Sequence, residues 1–286
     1  MLPTHFYKEP RALYTNTDGQ KNTAIGSRAM QNNTDGSFNI AIGMYAFINN
    51  TKANHNIAIG SFALYNGLNP LQYDSWNIAI GDSSLYSNFN GGTINGSRNT
   101  AIGHKSLKLN YSGYGNTACG YQSTIFKHRY YNSSFGFESL ENNTEGSYNT
   151  GFGSYSLCGI TTGIKNTAMG TLSLTSNNTG NYNTAIGVNT AIFTGDVNNS
   201  TTLGYNAEPG GSNEIAIANT SVTWIGGQVA WSTFSDERAK NNIASDVPGL
   251  SFINELNPVT YYFDKNEMDN LIGKVDSSDY PEKYEI

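Results

Sequence analysis

NTAIGSRAMQNNTDGSF (22–38) is one copy of a unit that recurs through most of this 286-residue chain. Its first five letters return as NIAIG at 39–43, as NTAMG at 166–170 and in eight further versions. Seven of the ten separations between the closing glycines are 17 residues, and the others are 16, 21 and 22. The closing glycines are Gly26, Gly43, Gly60, Gly81, Gly103, Gly120, Gly136, Gly153, Gly170, Gly187 and Gly204. A period this regular is typical of a repeat architecture.

The length of the unit limits what one copy can form. Seventeen residues suit two short strands and two turns, whereas a helical-pair repeat needs more than about 30. Alternation along a strand places Thr23 and Ile25 on one face and Ala24 on the other. We expect Ile25 and its counterparts, Ile102 among them, to stack from coil to coil as an apolar ladder in the core. Asn and Gly suit the corners because they tolerate positive φ.

The repeat therefore predicts an all-β fold, a parallel β-solenoid over residues 22–211 whose coils contact only their neighbours. Eleven coils at roughly 4.8 Å each give a rod about 50 Å long. A small residue follows each glycine by three, as in Ala29 and Ser84, and a larger apolar residue comes next, as in Met30 and Leu85. So thin a core leaves open edges. The Ala/Ser column suggests a close contact with a second surface, which symmetric self-association would supply.

Copies four and five are longer than the rest, because they carry extra residues at 67–75 and 88–98. We expect these residues in loops outside the coil, and binding residues concentrate on loops held by a rigid scaffold. The basic stretch FKHRYY at 126–131 replaces a regular turn and is a second candidate contact, with a plain solvated loop as the alternative. The candidate receptor-contact residues are Tyr73, Trp76, Tyr86, Phe89, Lys127, Arg129 and Tyr130.

The overall composition argues against several classes of function. A net charge of −6 disfavours nucleic-acid binding, which needs a basic face. The chain has no apolar run of about 18 residues, so no membrane span is predicted, and its opening stretch lacks the pattern of a secretory signal. Two cysteines, Cys119 and Cys158, are too few for a disulfide framework, and the four histidines lack ligand spacing. We therefore predict no metal and no cofactor.

The repeated NTAIG-x-x-A-L pattern resembles the head repeats of trimeric autotransporter adhesins. It resembles still more the longer repeats in tail fibres of phages and related particles. The likeness covers about residues 22–218. It implies a left-handed parallel β-roll that assembles as a homotrimer about a common axis. The usual head repeat is shorter than 17 residues, so the likeness concerns the solenoid rather than the shape of its coil.

The stretch WSTFSDERAKNNI (231–243) departs from the repeat and brings a serine, acids and an amine together. One interpretation is an ordinary helix N-cap, with Ser235 placed before the acids of the first turn. The other is a nucleophile, Ser235, whose proton is accepted by Lys240, which requires that desolvation lower the lysine pKa. Five residues turn a helix by about 500°, so the two side chains would not share one helical face. Ser235 would then lie at or before the helix start, or meet a lysine of another subunit.

The same stretch, preceded by NTSVTWIGG (219–227), resembles the junction before the intramolecular chaperone of endosialidases and other phage tail spikes. That family is a self-cleaving serine peptidase which guides trimer assembly. Ser235, Asp236 and Lys240 match its S-D-x-x-x-K motif, with Asp236 in a supporting role. The resemblance implies cleavage of the bond between Phe234 and Ser235.

These signals divide the chain into four parts. Residues 1–21 would form an N-terminal cap or attachment segment, and residues 22–211 the solenoid. Residues 212–234 would form a β-rich neck, and residues 235–286 the N-terminal part of an intramolecular chaperone that contains some helix. The domain of that family is longer than residues 235–286, so we expect little cleavage from these residues alone.

Three functions are compatible with the sequence. The first is a trimeric fibre, the receptor-binding adhesin of a phage tail or phage-like injection particle, located on a virion or extracellular particle. Its partners would be its own copies, a tail or baseplate protein at one end, and a glycan or protein receptor on a cell surface. The second is a trimeric adhesin of the bacterial cell surface. The third is a tail spike that degrades polysaccharide, although the repeats leave little room for a catalytic domain before Ser235.

Overall fold

The computed structural model describes a large part of the chain. The described residues are 6–8, 10–66, 76–88, 96–111, 113–124, 130–191 and 195–226. The chain divides into two compact units, residues 1–225 and residues 226–286. Every strand that the structure describes lies in the first unit.

The described residues contain thirteen strands of three residues each, which form one sheet. The strands are β1 (Phe6–Lys8), β2 (Thr23–Ile25), β3 (Ile40–Ile42), β4 (Ile57–Ile59), β5 (Ile78–Ile80), β6 (Thr100–Ile102), β7 (Thr117–Cys119), β8 (Ser133–Phe135), β9 (Thr150–Phe152), β10 (Thr167–Met169), β11 (Thr184–Ile186), β12 (Thr201–Leu203) and β13 (Ile215–Ile217). Each strand pairs in parallel with the next one along the chain, and Ile25 lies beside Ile42, which lies beside Ile59. A chain that returns to the same sheet once in every coil is a β-solenoid, so the predicted fold class is confirmed. Strands β1 and β13 extend the stack beyond the eleven NTAIG-type copies at either end.

The face of the strands that is buried is the one that the sequence pattern assigned to the outside. Their central alanines are fully buried: Ala24, Ala41, Ala58, Ala79, Ala101, Ala118, Ala168 and Ala185. Ile102, in contrast, is 39% exposed. The prediction of an isoleucine ladder in the core is therefore wrong, because the ladder runs along the outside of the coil. The inside of the coil lacks space for isoleucine beside the Ala/Ser column. Even a Cβ on Gly151, which stands in β9 where most other strands have alanine, would lie only 2.6 Å from the Ser139 hydroxyl oxygen.

The core is built by two positions that follow each closing glycine. The larger side chains there are buried and stack on one another: Met30, Phe47, Leu64, Leu85, Leu107, Leu140, Leu157 and Leu174. The small residues before them are buried as well: Ala29, Ala46, Ala63, Ser84, Ser106, Ser123, Ser139, Ser156 and Ser173. The Ala/Ser column faces the inside of its own coil, so the prediction that it contacts a second surface is wrong. The apolar core is interrupted between Ala118 and Leu140, where the buried Ser134 hydroxyl contacts those of Ser123 and Thr124.

A ladder of buried asparagines connects successive coils. The asparagines before the strands are Asn22, Asn39, Asn56, Asn77, Asn99, Asn116, Asn132, Asn149, Asn166 and Asn183, all buried. Nδ2 of Asn166 donates hydrogen bonds to Oδ1 of Asn149 at 3.1 Å and to the carbonyl oxygen of Gly180 at 2.8 Å. Its Oδ1 accepts a hydrogen bond from the backbone N–H of Asn183 at 2.9 Å. Buried polar groups need such partners, and the ladder therefore fixes each coil to both of its neighbours.

The corners of the coil use left-handed backbone conformations. The closing glycines have φ between 115° and 141°, and a Cβ on Gly43 would lie 2.6 Å from the carbonyl oxygen of Gly60. Another corner carries large side chains with positive φ, among them Phe38 (60°) and Trp76 (58°). This conformation costs a non-glycine residue roughly 1–3 kcal/mol. Contacts with the neighbouring coils have to offset that cost.

Candidate functional site

The outside of the sheet forms a continuous surface, which we call the outer ladder face. It consists of the first and third residues of strands β2 to β13, which run in rows along the rod because the strands are in register. Its exposed apolar side chains are Ile40, Ile102, Phe152, Met169, Ile186, Leu203, Ile215 and Ile217. Phe152 is 55% exposed. A monomeric protein rarely exposes a large continuous apolar patch, so this face is a candidate binding surface.

The chemistry of the outer ladder face changes along the rod. Strands β3, β4 and β5 carry isoleucine in both outward rows. From β6 to β12 the first outward row consists of Thr and Ser, and the other row passes through Cys119, Phe135 and Phe152. The rings of Phe135 and Phe152 lie 5.5 Å apart. The face is therefore wholly apolar over strands β3 to β5 and combines a hydroxyl row with an apolar row from β6 to β12.

One edge of the outer ladder face carries the basic aromatic border, which we define as Lys21, Phe38, His55, Trp76 and Arg98. Each of these residues precedes a buried asparagine, is exposed, and has φ between 54° and 60°. The ring of His55 stacks on Phe38 at 4.9 Å and on Trp76 at 5.7 Å. Nζ of Lys21 lies 4.8 Å from the centre of the Phe38 ring, and the Arg98 guanidinium lies 5.8 Å from that of Trp76. A cation thus caps each end of the stack.

The same edge continues with aromatic and basic residues toward the C-terminal coils. Tyr131 and Tyr148 are stacked with their ring centres 5.4 Å apart. Further along, Nζ of Lys165 lies 5.1 Å from the ring centre of Tyr182. Stacked rings and a cation beside a ring therefore recur on this edge beyond the basic aromatic border.

A second aromatic cluster lies past the other end of the strands. Nη1 of Arg28 donates a hydrogen bond to the Tyr45 hydroxyl at 3.1 Å, and the guanidinium lies 5.3 Å from the centre of that ring. Tyr45 stacks on Phe62 at 5.3 Å, and Tyr65 stacks on Tyr86 at 4.9 Å. The N-terminal coils therefore carry aromatic side chains and cations on both sides of the outer ladder face.

The structure describes three of the seven candidate receptor-contact residues. Trp76 belongs to the basic aromatic border, and Tyr86 to the second aromatic cluster. Tyr130 pairs with Tyr114 through an isolated bridge in the backbone. These three residues thus occupy positions of the coil itself and do not form one patch. Outside the described residues lie Tyr73, Phe89, Lys127, Arg129, Ser235, Asp236 and Lys240.

The two cysteines are free and lie in different columns of the solenoid. Cys119 is half-buried on the outer ladder face. Burial raises the pKa of the Cys158 thiol, and the negative charges of Glu141 and Glu138 raise it further. Because the thiolate is the reactive form of cysteine, this environment makes Cys158 a weak nucleophile.

The described coils offer surfaces for binding, namely the apolar face and its two aromatic edges. Within the described ranges, no cluster of His, Cys, Asp and Glu side chains is placed to hold a metal ion. In the same part of the chain, no helix has the length and apolar character needed to cross a membrane. A comparison with family models, with curated proteins and with solved structures finds no match for the chain.

The basic aromatic border is the surface that sequence reasoning missed, although the sequence carries its signal. The residue immediately before the asparagine of each NTAIG-type copy is aromatic or basic in most copies, as in Phe38, His55 and Trp76. The signal is easily overlooked because left-handed corners normally carry Gly or Asn. A large side chain at such a position therefore resembles a loop residue.

Proposed function

We propose that this chain is the subunit of a self-assembling fibre that binds cell surfaces, a trimeric receptor-binding adhesin of a phage tail or phage-like injection particle. The observation that supports it best is the outer ladder face, an apolar surface that continues from coil to coil along the described solenoid. A rod with one apolar side favours lengthwise association. The resemblance of the repeats to phage tail fibres supports the setting, with a tail or baseplate protein bound at one end.

Further copies of the same chain are the partner that fits the outer ladder face. The twelve strands β2 to β13, spaced by about 4.8 Å and each about 10 Å long, give a strip of roughly 53 by 10 Å. The protruding side chains make the accessible area larger than this flat strip, and a stable interface buries roughly 800 Å² per partner. Because the same outward positions recur in every coil, parallel copies match along their whole length, and a ring of three is a closed arrangement.

Two adjacent substitutions test this assembly. Ile102→Asp places a charge on the outer ladder face, where the residue is 39% exposed, so we expect a folded chain that sediments as a monomer. Ala101→Asp places the same charge at a fully buried position, where an unpaired charge is costly, so we expect loss of the fold by circular dichroism. The unsubstituted protein should sediment as a trimer. A stable monomer of the unsubstituted protein, or normal trimers of Ile102→Asp, would contradict the assembly.

Adhesion is the second part of the proposal. We assign receptor contacts to residues 67–75, 88–98 and 126–131 and to the aromatic edges of the coils. Replacing residues 67–75 by a plain turn should leave the trimer intact and weaken binding to host cells in a pull-down assay. Undiminished binding would remove residues 67–75 from the receptor site. The resemblance to autotransporter heads supports a second setting, the bacterial cell surface, which immunogold labelling of cells and particles distinguishes.

Self-cleavage is the third part and concerns residues outside the described ranges. The Ser235 hydroxyl would attack the carbonyl carbon of Phe234 while Lys240 accepts the proton, with Asp236 in support. The C–N bond between Phe234 and Ser235 would break as Lys240 returns the proton to the Ser235 amine, and water would hydrolyse the resulting Phe234 ester. In a product that carries a complete chaperone domain, mass spectrometry should find a fibre that ends at Phe234. Ser235→Ala and Lys240→Ala should each give an uncut trimer. An uncut product of that unsubstituted protein would leave SDERAK as a helix cap.

A further inference from the structure

The edge that contains the basic aromatic border lacks acidic residues. Its described members, each placed before a ladder asparagine or the serine that replaces it, are Lys21, Phe38, His55, Trp76, Arg98, Gly115, Tyr131, Tyr148, Lys165, Tyr182 and Asn199. Three of them carry a fixed positive charge and none carries a carboxylate, in a chain with 16 basic and 22 acidic residues. The edge is thus a cationic line on an acidic protein.

The positive charge is concentrated in the N-terminal coils. Residues 1–110 contain eight Lys or Arg and five Asp or Glu, which gives a net charge of +3, and residues 111–286 carry the remaining −9. In the second aromatic cluster of the same coils, Arg28 adds a cation over Tyr45. The N-terminal coils therefore attract anions more strongly than the rest of the chain does.

Stacking decides which ring atoms of the border are available to a ligand. Phe38 is covered by Lys21 and His55, and Trp76 is covered by His55 and Arg98. Because neighbours cover the faces, the rings turn their edges to the solvent, and the edge of an aromatic ring is the positive part of its quadrupole. Lys, Trp and Arg side chains carry hydrogen-bond donors and no acceptor. Donors and positive ring edges suit a negatively charged chain that is rich in hydroxyl groups.

The same stacking disfavours single-stranded nucleic acid. Proteins that bind single strands stack the bases on open aromatic faces along a positively charged groove. His55 has Phe38 and Trp76 on its two faces, with interplanar angles of 5° and 12°, so a base has no open face there. Sugar rings, in contrast, can contact the ring edges through C–H and hydroxyl groups.

We propose that the basic aromatic border binds a linear acidic polysaccharide, a chain of sugars that carry carboxylates and that lies along the rod. Lys21 and Arg98 are four coils apart, which places them about 19 Å from one another. They would pair with carboxylates several sugars apart, and the rings of Phe38, His55 and Trp76 would contact the sugars between. This inference rests on the proposed adhesin function and names the chemistry of its receptor.

The test measures binding of the assembled protein to polygalacturonate, alginate, hyaluronate and polysialate by isothermal titration calorimetry. Neutral dextran and an oligo-dT strand serve as comparison ligands. We expect at least one acidic polysaccharide to bind, to bind less at high salt, and to bind more tightly than dextran or oligo-dT. The double variant Lys21→Glu/Arg98→Glu should weaken binding by about tenfold or more, because losing one ion pair raises the Kd by about three- to fivefold and two pairs are lost. The control Lys105→Glu/Lys108→Glu makes the same charge change outside the border and should weaken it by less than about threefold.

Several results would overturn the site. Equal losses in the two double variants would assign binding to net charge, and a preference for oligo-dT would assign the border to nucleic acid. If the monomeric Ile102→Asp variant binds an acidic polysaccharide and the assembled protein does not, neighbouring copies cover the border in the fibre. Adhesion to host cells, measured in parallel, separates this inference from the proposed function. A fibre that adheres to cells and binds none of the four polysaccharides refutes the polysaccharide site and leaves the adhesin standing.

Discussion

Gly103 illustrates how strictly one residue can be constrained by a coil. Its φ is 129°, and a Cβ at this position would lie 2.4 Å from the carbonyl oxygen of Gly120. The obstacle is backbone, which cannot rotate away as a flexible side chain can. Both the conformation of Gly103 and the approach of the next coil therefore require the absence of a side chain.

Gly103→Ala should lower the free energy of unfolding by about 3 kcal/mol or more, because left-handed strain and overlap each contribute roughly 1–3 kcal/mol. Gly195 provides the matched control. It also has positive φ (67°), but a Cβ there would meet nothing within 4 Å. Gly195→Ala should therefore cost only about 1–2 kcal/mol. Urea denaturation of both variants measures the difference, and equal losses would show that coil-to-coil contact does not matter at Gly103.

The sequence was sufficient to place the glycine corners and insufficient to place the aromatic ones. The spacing of Gly26 and Gly43 marks the corners directly, because glycine is the residue that a left-handed corner favours. Phe38 and Trp76 adopt the same backbone region although local preference disfavours it. Each of them stacks on His55, one coil away. Such a contact becomes visible only after the coils have been stacked in register.

Among the elements, the three-residue strands show which part of a pattern is ambiguous. Alternation correctly separated Ala24 from Thr23 and Ile25, but it does not state which side faces inward. The greater hydrophobicity of Ile25 favoured that residue for the core. The coil is too narrow for isoleucine, however, and Ala24 is the residue that is fully buried. The width depends on how closely the Ala/Ser column approaches the strand, and no local property of the sequence reports that distance.

The asparagine ladder gives a prediction for the contact between coils. Asn166→Asp keeps the shape of the side chain but removes Nδ2, which donates hydrogen bonds to Asn149 Oδ1 and to the Gly180 carbonyl oxygen. We expect a loss of about 3 kcal/mol or more in the free energy of unfolding, because a buried carboxylate then faces two acceptors. Asn181→Asp, on an exposed ladder with Asn198, should cost about 1 kcal/mol or less. Similar shifts in thermal unfolding would argue against the buried ladder as the main connection.

A second connection between coils depends on pH. Asp196 accepts hydrogen bonds from the backbone N–H and the hydroxyl of Thr179, at 2.8 and 2.9 Å. Partial burial alone would raise the pKa of Asp196, but the hydrogen bonds from Thr179, with the nearby backbone N–H groups of Asn178 and Gly180, hold it below its ordinary value of 3.8. A lowered pKa in the folded state stabilises the fold above the unfolded-state pKa. That contribution is lost as the pH falls through the lower, folded-state value.

Asp196→Ala should therefore be less stable than the unsubstituted protein at pH 7, and the gap should narrow once the pH falls below about 3.8. Denaturant unfolding at several pH values measures the gap. Glu214→Ala is a useful comparison, since this carboxylate accepts hydrogen bonds from Gly210 and Gly211 within its own turn instead of from another coil. A gap for Asp196→Ala that stays constant down to pH 2 would contradict the role of the charged carboxylate.

For the whole molecule, the sequence predicted that copies associate but indicated the wrong column. The Ala/Ser residues that suggested a close contact, such as Ala29, are fully buried in their own coil. The surface that we propose for a neighbouring copy is the outer ladder face, where Ile102 and Phe152 are exposed. The strands bury their alanine face and expose their isoleucine face, the reverse of the prediction. This one misassigned face therefore changes both the core and the predicted interface.

Cys119 reports directly on whether the outer ladder face is covered. In the assembled protein its thiol should react with a maleimide about tenfold more slowly than in a monomeric Ile186→Asp variant, whose charge lies on the same face but four strands away from Cys119, because only an accessible thiolate reacts. Cys158 lies in another column and is the internal reference, so its rate should be the same in both forms. Mass spectrometry of the labelled peptides separates the two sites. Equal rates at Cys119 in both forms would exclude this face from the interface.

Strands β4, β5 and β6 stay in register although 21 and 22 residues, instead of 17, separate their closing glycines. Extra residues are therefore accommodated away from the sheet. Two kinds of genetic change therefore have separate effects. Recombination out of step by one repeat changes the length of the rod by about 4.8 Å, and an insertion changes what a single coil displays. Neither event alters the residues by which copies would meet. Under the proposed assembly, an insertion thus changes what a coil displays while the contacts between copies are conserved.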